Sequence, residues 1–187
     1  MVLGLAPILL GNPYTSLMPI FAIDVLHGNA STQGLLLTMA GVGALLGALT
    51  IASLGRRQGS GKLLIVGAAG FGLSLVFFSR SPVLWMAMVF TFLAGLSNTS
   101  YNSQNQTIIQ TLTPAEVRGR VLGVYSLDRG LMPVGSLLAG ALAAWLGGPW
   151  AVTIMGTSCS LLVIGVAVLK PDIWKSKLIP AGESTAS

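Results

Sequence analysis

Six apolar blocks, approximately residues 3–23, 33–54, 62–78, 83–107, 120–146 and 150–169, share out almost the whole chain, the fifth helix being expected to start ahead of its block and run over about 116–146. A hydrocarbon core about 30 Å thick is crossed by about 20 residues of helix, and each block is near that length. Without water to bond them, backbone N–H and C=O groups in a bilayer must pair within a helix or a closed barrel. These blocks are too long for strands and lack strict alternation. The expected fold is therefore an all-α integral membrane protein with six transmembrane helices over residues 1–170, and a disordered cytoplasmic tail over 171–187. Only 8% of residues are charged, far below the roughly 25% of soluble domains. No Lys or Arg precedes the first block and no small-residue cleavage site follows it, which argues against a removable signal peptide.

The basic residues orient the helices. Arg56, Arg57 and Lys62, then Arg118 and Arg120, then Lys170, Lys175 and Lys177 all fall on one side if the blocks alternate in direction. The opposite side holds Asp24, His27 and Arg80. By the positive-inside rule the basic side is cytoplasmic, which places both termini there. The net charge of +5 thus reports topology and calls for no nucleic-acid partner.

The links read as helix starts. "HGNAST" (27–32) offers turn residues and then Ser31 or Thr32 as a cap, and Ser81 before Pro82 is a cap followed by proline at the first helical position. "TPAE" (113–116) is a capping box that would begin helix five near Pro114. Small residues recur every four positions: Ala40, Ala44, Ala48 and Ala52 beside Gly43 and Gly47, and Ser136, Gly140, Ala144 and Gly148. They predict close backbone contact, either as fixed packing or as an interface that slides during transport. Pro7, "GNP" (11–13) and Pro19 interrupt helix one, as a plain kink or as part of a substrate path to which Asn12 and Tyr14 would contribute.

One stretch breaks the apolar pattern. "SNTSYNSQNQT" (97–107) lies in the cytoplasmic half of block four, with Asn98, Tyr101, Asn102 and Asn105 on one helical face and Ser97, Ser100, Gln104 and Thr107 on a second. A helix polar on both faces cannot look at lipid there. Either the amides line a water-filled cavity open to the cytoplasm, or they bond neighbouring helices at about 0.6 kcal/mol each. Further on, "SLDRG" puts Asp128 and Arg129 in block five, with Arg129 about 13 Å deeper than Arg120 if the helix is regular. An unpaired charge at the centre costs about 2.5 to 3.5 kcal/mol, so the two face a cavity, find partners, or belong to a turn still at the interface.

Enzyme chemistry finds no foothold. His27 is the only histidine, Cys159 is the only cysteine and sits in an apolar block, and no helix pairs histidines or carboxylates for a metal. "GAAGFG" (67–72) mimics a nucleotide fingerprint but lies in an apolar helix with no strand before it, so no cofactor is expected.

"NQTIIQTLTPAEVRGRVLGVYSL" (105–127), "GLMPVGSLLAGALAAWLG" (130–147) and "MPIFAIDVLHGNASTQGLLLTMAGVGALLGA" (18–48) together resemble the C-terminal half of the major facilitator superfamily, transmembrane helices 7 to 12, in the bacterial branch of enterobactin-exporter-like and macrolide-efflux-like proteins. The loop signature G-x-x-x-D-R-x-G-R-R is present only at its end, as Gly55, Arg56 and Arg57. Ala48, Ala52 and Ser53 replace its first glycine, aspartate and arginine, so no conformational-lock aspartate can be named. A second cytoplasmic motif would be carried by Arg118, Gly119 and Arg120. The resemblance implies one half of a two-half transporter built from two inverted three-helix repeats, working by alternating access and commonly by proton exchange. It implies a bacterial inner membrane location, an amphipathic small-molecule substrate such as a drug, macrolide or siderophore, and an N-terminal six-helix half as partner. The alternatives are a half-size transporter that homodimerises and a non-transporting membrane remnant.

Overall fold

The computed structural model describes residues 14–53, 61–113, 119, 123, 130 and 132–169. It is all-helical: α1 (Tyr14–Ile20, continued by a π-helical turn Phe21–Val25), α2 (Ala30–Ser53), α3 (Gly61–Ser79), α4 (Leu84–Leu112), α5 (Met132–Leu146) and α6 (Gly148–Leu169). At 1.5 Å per residue the 29 residues of α4 measure about 43 Å, well beyond the hydrocarbon thickness. Among the described residues, Ala30–Ser53 and Gly148–Gly165 are each long and apolar enough to cross a membrane on their own. In α4 the amide run dilutes the apolar character that its length would otherwise confer.

Each helix end has a local cause. Pro19 sits inside α1 and offers no N–H. The chain then widens by one residue, with the Leu26 N–H donating to the Phe21 carbonyl at 3.1 Å and the Gly28 N–H to that of Ala22 at 2.9 Å. His27 takes φ 49°, the left-handed conformation that stops a helix. The cap of α2 is Asn29, not Ser31 or Thr32: its Oδ1 accepts from the N–H groups of Ser31 (3.0 Å) and Thr32 (3.2 Å), and the Thr32 hydroxyl accepts from the Asn29 N–H at 3.3 Å. Loss of this reciprocal pair in Asn29→Ala should lower stability by about 0.5–2 kcal/mol, read as a fall in melting temperature of the purified protein.

Ser81 does not cap α4 either. Its hydroxyl donates to the Phe77 carbonyl at 2.9 Å and closes the end of α3, and α4 starts after Val83, whose side chain cannot cap. Between α5 and α6 stands only Gly147, at φ 86°, a conformation that a side chain would strain. The capping box expected at 113–116 has its Thr113 at the extended C-cap of α4, and the remainder lies outside the described residues.

Packing runs through small residues. In the α2–α4 seam a Cβ on Gly43 would lie 2.0 Å from the Phe92 carbonyl oxygen, one on Gly47 2.6 Å from that of Leu96, and one on Gly95 2.1 Å from that of Ala40. Of the alanines in the same stripe, Ala48 and Ala52 are exposed, so the contact follows Gly43, Gly47 and Ile51 along one side of it. The α5 stripe is split. Ser136 meets Ser16 of α1 through their hydroxyls (3.2 Å) and Gly148 abuts Ile20, whereas Gly140 and Ala144 are exposed and the buried small side chain is Ala139.

Two apolar clusters fill the bundle. The larger draws on all six helices, with Phe21 stacked on Phe78 at 4.4 Å and Tyr14 edge-on to Phe71 at 6.0 Å. The smaller gathers Leu64, Ile65, Ala68, Tyr101 and Val163.

The outside is apolar as well. Leu45, Leu49, Val66, Leu137 and Leu161 are all more than half exposed, the arrangement a lipid solvent permits and water does not. Thr38 and Thr50 on the exposed faces of α2 donate to the carbonyls four residues back, at 2.8 and 2.7 Å, which satisfies their hydroxyls without water.

Candidate functional site

The amide run occupies the second half of α4. Its register is set on two sides: Phe92, Gly95 and Leu96 meet α2, while Ser97 and Tyr101 meet Gly70 and Gly67 of α3. Lipid-exposed Val89 and Leu93 mark a third side. Asn98 follows Val89 by nine residues and Asn102 follows Leu93 by nine, and nine residues is about two and a half helical turns. Both asparagines therefore lie opposite the lipid-exposed side.

On this opposite face Asn98 and Asn102 are half-buried and linked. The Asn102 Nδ2 donates to the Asn98 carbonyl at 3.0 Å and also bonds the Asn98 Oδ1. Asn105, one turn further on, is buried, and its Nδ2 approaches the Tyr101 hydroxyl at 3.5 Å. Asn98, Tyr101, Gln104 and Asn105 all have interaction partners, as buried amides in a low-dielectric interior require. The other polar stripe divides in two. Ser100 and Thr107 fold their hydroxyls back onto the Leu96 (2.8 Å) and Ser103 (2.9 Å) carbonyls, and Gln104 is fully buried.

The two tyrosines nominated from the sequence have their rings in apolar surroundings, Tyr101 in the smaller cluster and Tyr14 against Phe71. Asn12, Asp128, Arg129, Gly55, Arg56, Arg57, Arg118 and Arg120 lie outside the described residues, and Gly119 is an exposed helical position. Thr91, seven residues before Asn98, shares the asparagine face and is fully buried, its hydroxyl donating to the Ala87 carbonyl at 2.6 Å. It escaped the sequence reading because it is a single hydroxyl in an apolar stretch, although its i, i+7 spacing from Asn98 was visible. Among the described residues no group of His, Cys, Asp and Glu could hold a metal ion, and the thiol of Cys159 is buried.

The described residues form an apolar bundle of six helices, and residues 2–183 match the family model described as transmembrane secretion effector. The chain belongs to that family. Transmembrane secretion effectors are membrane transporters of the major facilitator superfamily and not enzymes. Curated relatives include the staphyloferrin A transporter of Staphylococcus aureus, 28% identical over 148 residues, which are 79% of this chain and 37% of the relative. The enterobactin exporter EntS of Citrobacter koseri is 27% identical over 154 residues, 82% of this chain and 36% of the relative. The multidrug efflux pump Tap of Mycolicibacterium fortuitum is 30% identical over 142 residues, 75% of this chain and 34% of the relative. The chain spans little more than a third of the length of these relatives. No solved structure matches it significantly.

Proposed function

We propose that this chain is the C-terminal six-helix half of a secondary transporter that exports amphipathic small molecules by alternating access, driven by proton exchange. The observation that carries the reading is the asparagine face of α4, held opposite the lipid-exposed side, where a substrate path would run. The names of three relatives, a staphyloferrin A transporter, an enterobactin exporter and a multidrug efflux pump, support a siderophore-like or drug-like cargo.

In this reading Asn98, Asn102 and Asn105 line a cavity that opens to the cytoplasm and Asn12 contributes to the same path, while Tyr14 and Tyr101, whose rings are buried in the apolar clusters, back it from behind. Asp128 and Arg129 supply the charge that couples transport to the proton gradient. Both termini are cytoplasmic in a bacterial inner membrane, and Gly55, Arg56, Arg57, Arg118, Gly119 and Arg120 sit in the cytoplasmic loops. An N-terminal six-helix half, in the same polypeptide or a separate one, completes the molecule.

The test is to extract the protein from its native membrane, determine the mass of the intact species, and reconstitute it in vesicles with a pH gradient. A polypeptide about twice this length that accumulates an amphipathic dye or siderophore only under the gradient is the expected result. A stable assembly made of 187-residue chains alone would replace the fused half with a half-size dimer, and uptake indifferent to the gradient would remove the proton coupling.

A further inference from the structure

Where α1 ends, α3 gives way to α4, and α5 to α6, the structure has a cleft of about 250 Å³ with Val25, Arg80, Pro82, Pro149, Trp150 and Thr153 in its lining. Its hydroxyls are committed to the protein. Ser79 and Thr153 bond each other at 2.7 Å, Thr153 also donates to the Pro149 carbonyl at 2.8 Å, and Ser81 donates to that of Phe77 at 2.9 Å. The donors left over belong to Arg80.

Its guanidinium carbon lies 5.1 Å from the centre of the Trp150 ring. A guanidinium held over an aromatic ring by its charge still has N–H donors that a planar or tetrahedral oxyanion can accept from. The one acidic residue among those described, Asp24, is exposed and forms no salt bridge with it. Two long helices also start beside the cleft, α4 and α6, and neither has an acidic residue in its first turn. The helix starts add partial positive charge to that of Arg80, and the one described carboxylate at this end, Asp24 next to the lining Val25, is not paired with it.

Depth selects the ligand. Trp85 at the start of α4, Trp145 at the end of α5 and Trp150 at the start of α6 are all largely exposed at this same end, as tryptophans are at headgroup level. Phe77, stacked on Phe90, and Val83 are each more than half exposed close in sequence to the lining residues Ser79 and Pro82, and offer apolar surface to an acyl chain. The geometry points to a binding site for the phosphate of an anionic phospholipid headgroup, held by Arg80 on Trp150. This site is distinct from the asparagine face, since Asn98 is 14 residues along α4 from Leu84, about 21 Å away at the helical rise. It requires only that the bundle sit in a bilayer, and is independent of which solute is carried.

The intact transporter, purified in mild detergent, is titrated with phosphatidylglycerol and with phosphatidylcholine of identical chains, and bound lipid is counted by native mass spectrometry. Phosphatidylglycerol should bind at least about fivefold more tightly, and Arg80→Gln should erase the preference. Arg80→Lys should keep only part of it, because an ammonium retains the charge without the planar fork. Equal binding of the two lipids by the wild type, or an undiminished preference in Arg80→Gln, overturns the site. Displacement of the lipid by an equal concentration of soluble glycerol phosphate overturns the lipid assignment in favour of a soluble phosphate. Should Arg80→Gln fail to fold, quenching of the wild-type tryptophans by brominated phosphatidylglycerol against brominated phosphatidylcholine decides the question, with equal quenching counting against the proposal.

Discussion

Leucine in place of Gly43 should prevent assembly of the bundle. A Cβ there would sit 2.0 Å from the carbonyl oxygen of Phe92 and 2.9 Å from its carbonyl carbon. Both are backbone atoms inside α4 and cannot rotate aside, so α2 and α4 must separate. Separation would also open the reciprocal contact, where Gly95 lies under the Ala40 carbonyl. Overpacking a well-filled core usually costs about 1–3 kcal/mol, and forcing two backbones apart along a helix lies at or above the top of that range. Either no folded protein is recovered or the melting temperature falls by about 6–12 °C. Gly41 is the control, because it faces outward with nothing within 4 Å of a Cβ. Gly41→Leu should melt within about 2 °C of the wild type, since an outward helix position gains propensity from the change. Equal damage from the two substitutions would mean that the seam does not approach as closely as described.

The second large effect falls on transport and spares the fold. In the Asn98→Leu/Asn102→Leu double variant the asparagine face of α4 loses both amides and keeps side chains of the same branched shape. Leucine is the better helix former by up to about 0.7 kcal/mol, which offsets the lost contact between the two side chains. Melting should therefore stay close to wild type while gradient-driven transport drops by about tenfold or more, the change expected when about 1.4 kcal/mol of interaction along the substrate path is removed. Transport that survives the double substitution would reduce the asparagines to helix-to-helix glue worth about 0.6 kcal/mol per pair. The same face can be probed directly. In the full transporter with Cys159 replaced, cysteine at 98, 102 or 105 should react with a water-soluble reagent in at least one transport state. Failure to label in every state would exclude the cavity.

How far the sequence carries can be read from particular residues. The six helices were legible because apolar length alone forces helices in a bilayer, and the polarity of Ser97–Thr107 stands out in any frame. Helix ends were less so. Ser81 has the composition of a cap, but its hydroxyl turns back to Phe77 because α3 needs closing there before α4 begins. Asn29 became the cap of α2 once His27 took the left-handed turn.

Faces were the least legible. Spacing put Asn98, Tyr101, Asn102 and Asn105 on one side, but Tyr101 belongs equally to the α3 contact, because the glycine at position 67 admits its backbone there. Likewise the alanine stripe of α2 was visible, yet only its Gly43 edge is buried, since the direction of α4 decides which edge is covered. The cleft around Arg80 is assembled from three turns far apart in sequence. In the sequence its only trace is a lone arginine on the side opposite the basic loops and a "GPW" that opens another helix.

The single residue between α5 and α6 has a mechanical consequence. With only Gly147 intervening, the Cα atoms of Leu146 and Gly148 can never lie more than about 7.6 Å apart. The two helices are leaves on one pin: they can swing at their far ends, but they cannot part at the tryptophan-bearing end. A doorway on that side of the membrane must open along another seam, such as the one between α1 and α5. There Ser16 and Ser136 meet through their hydroxyls, a bond between neutral groups that is far easier to break than the peptide link through Gly147.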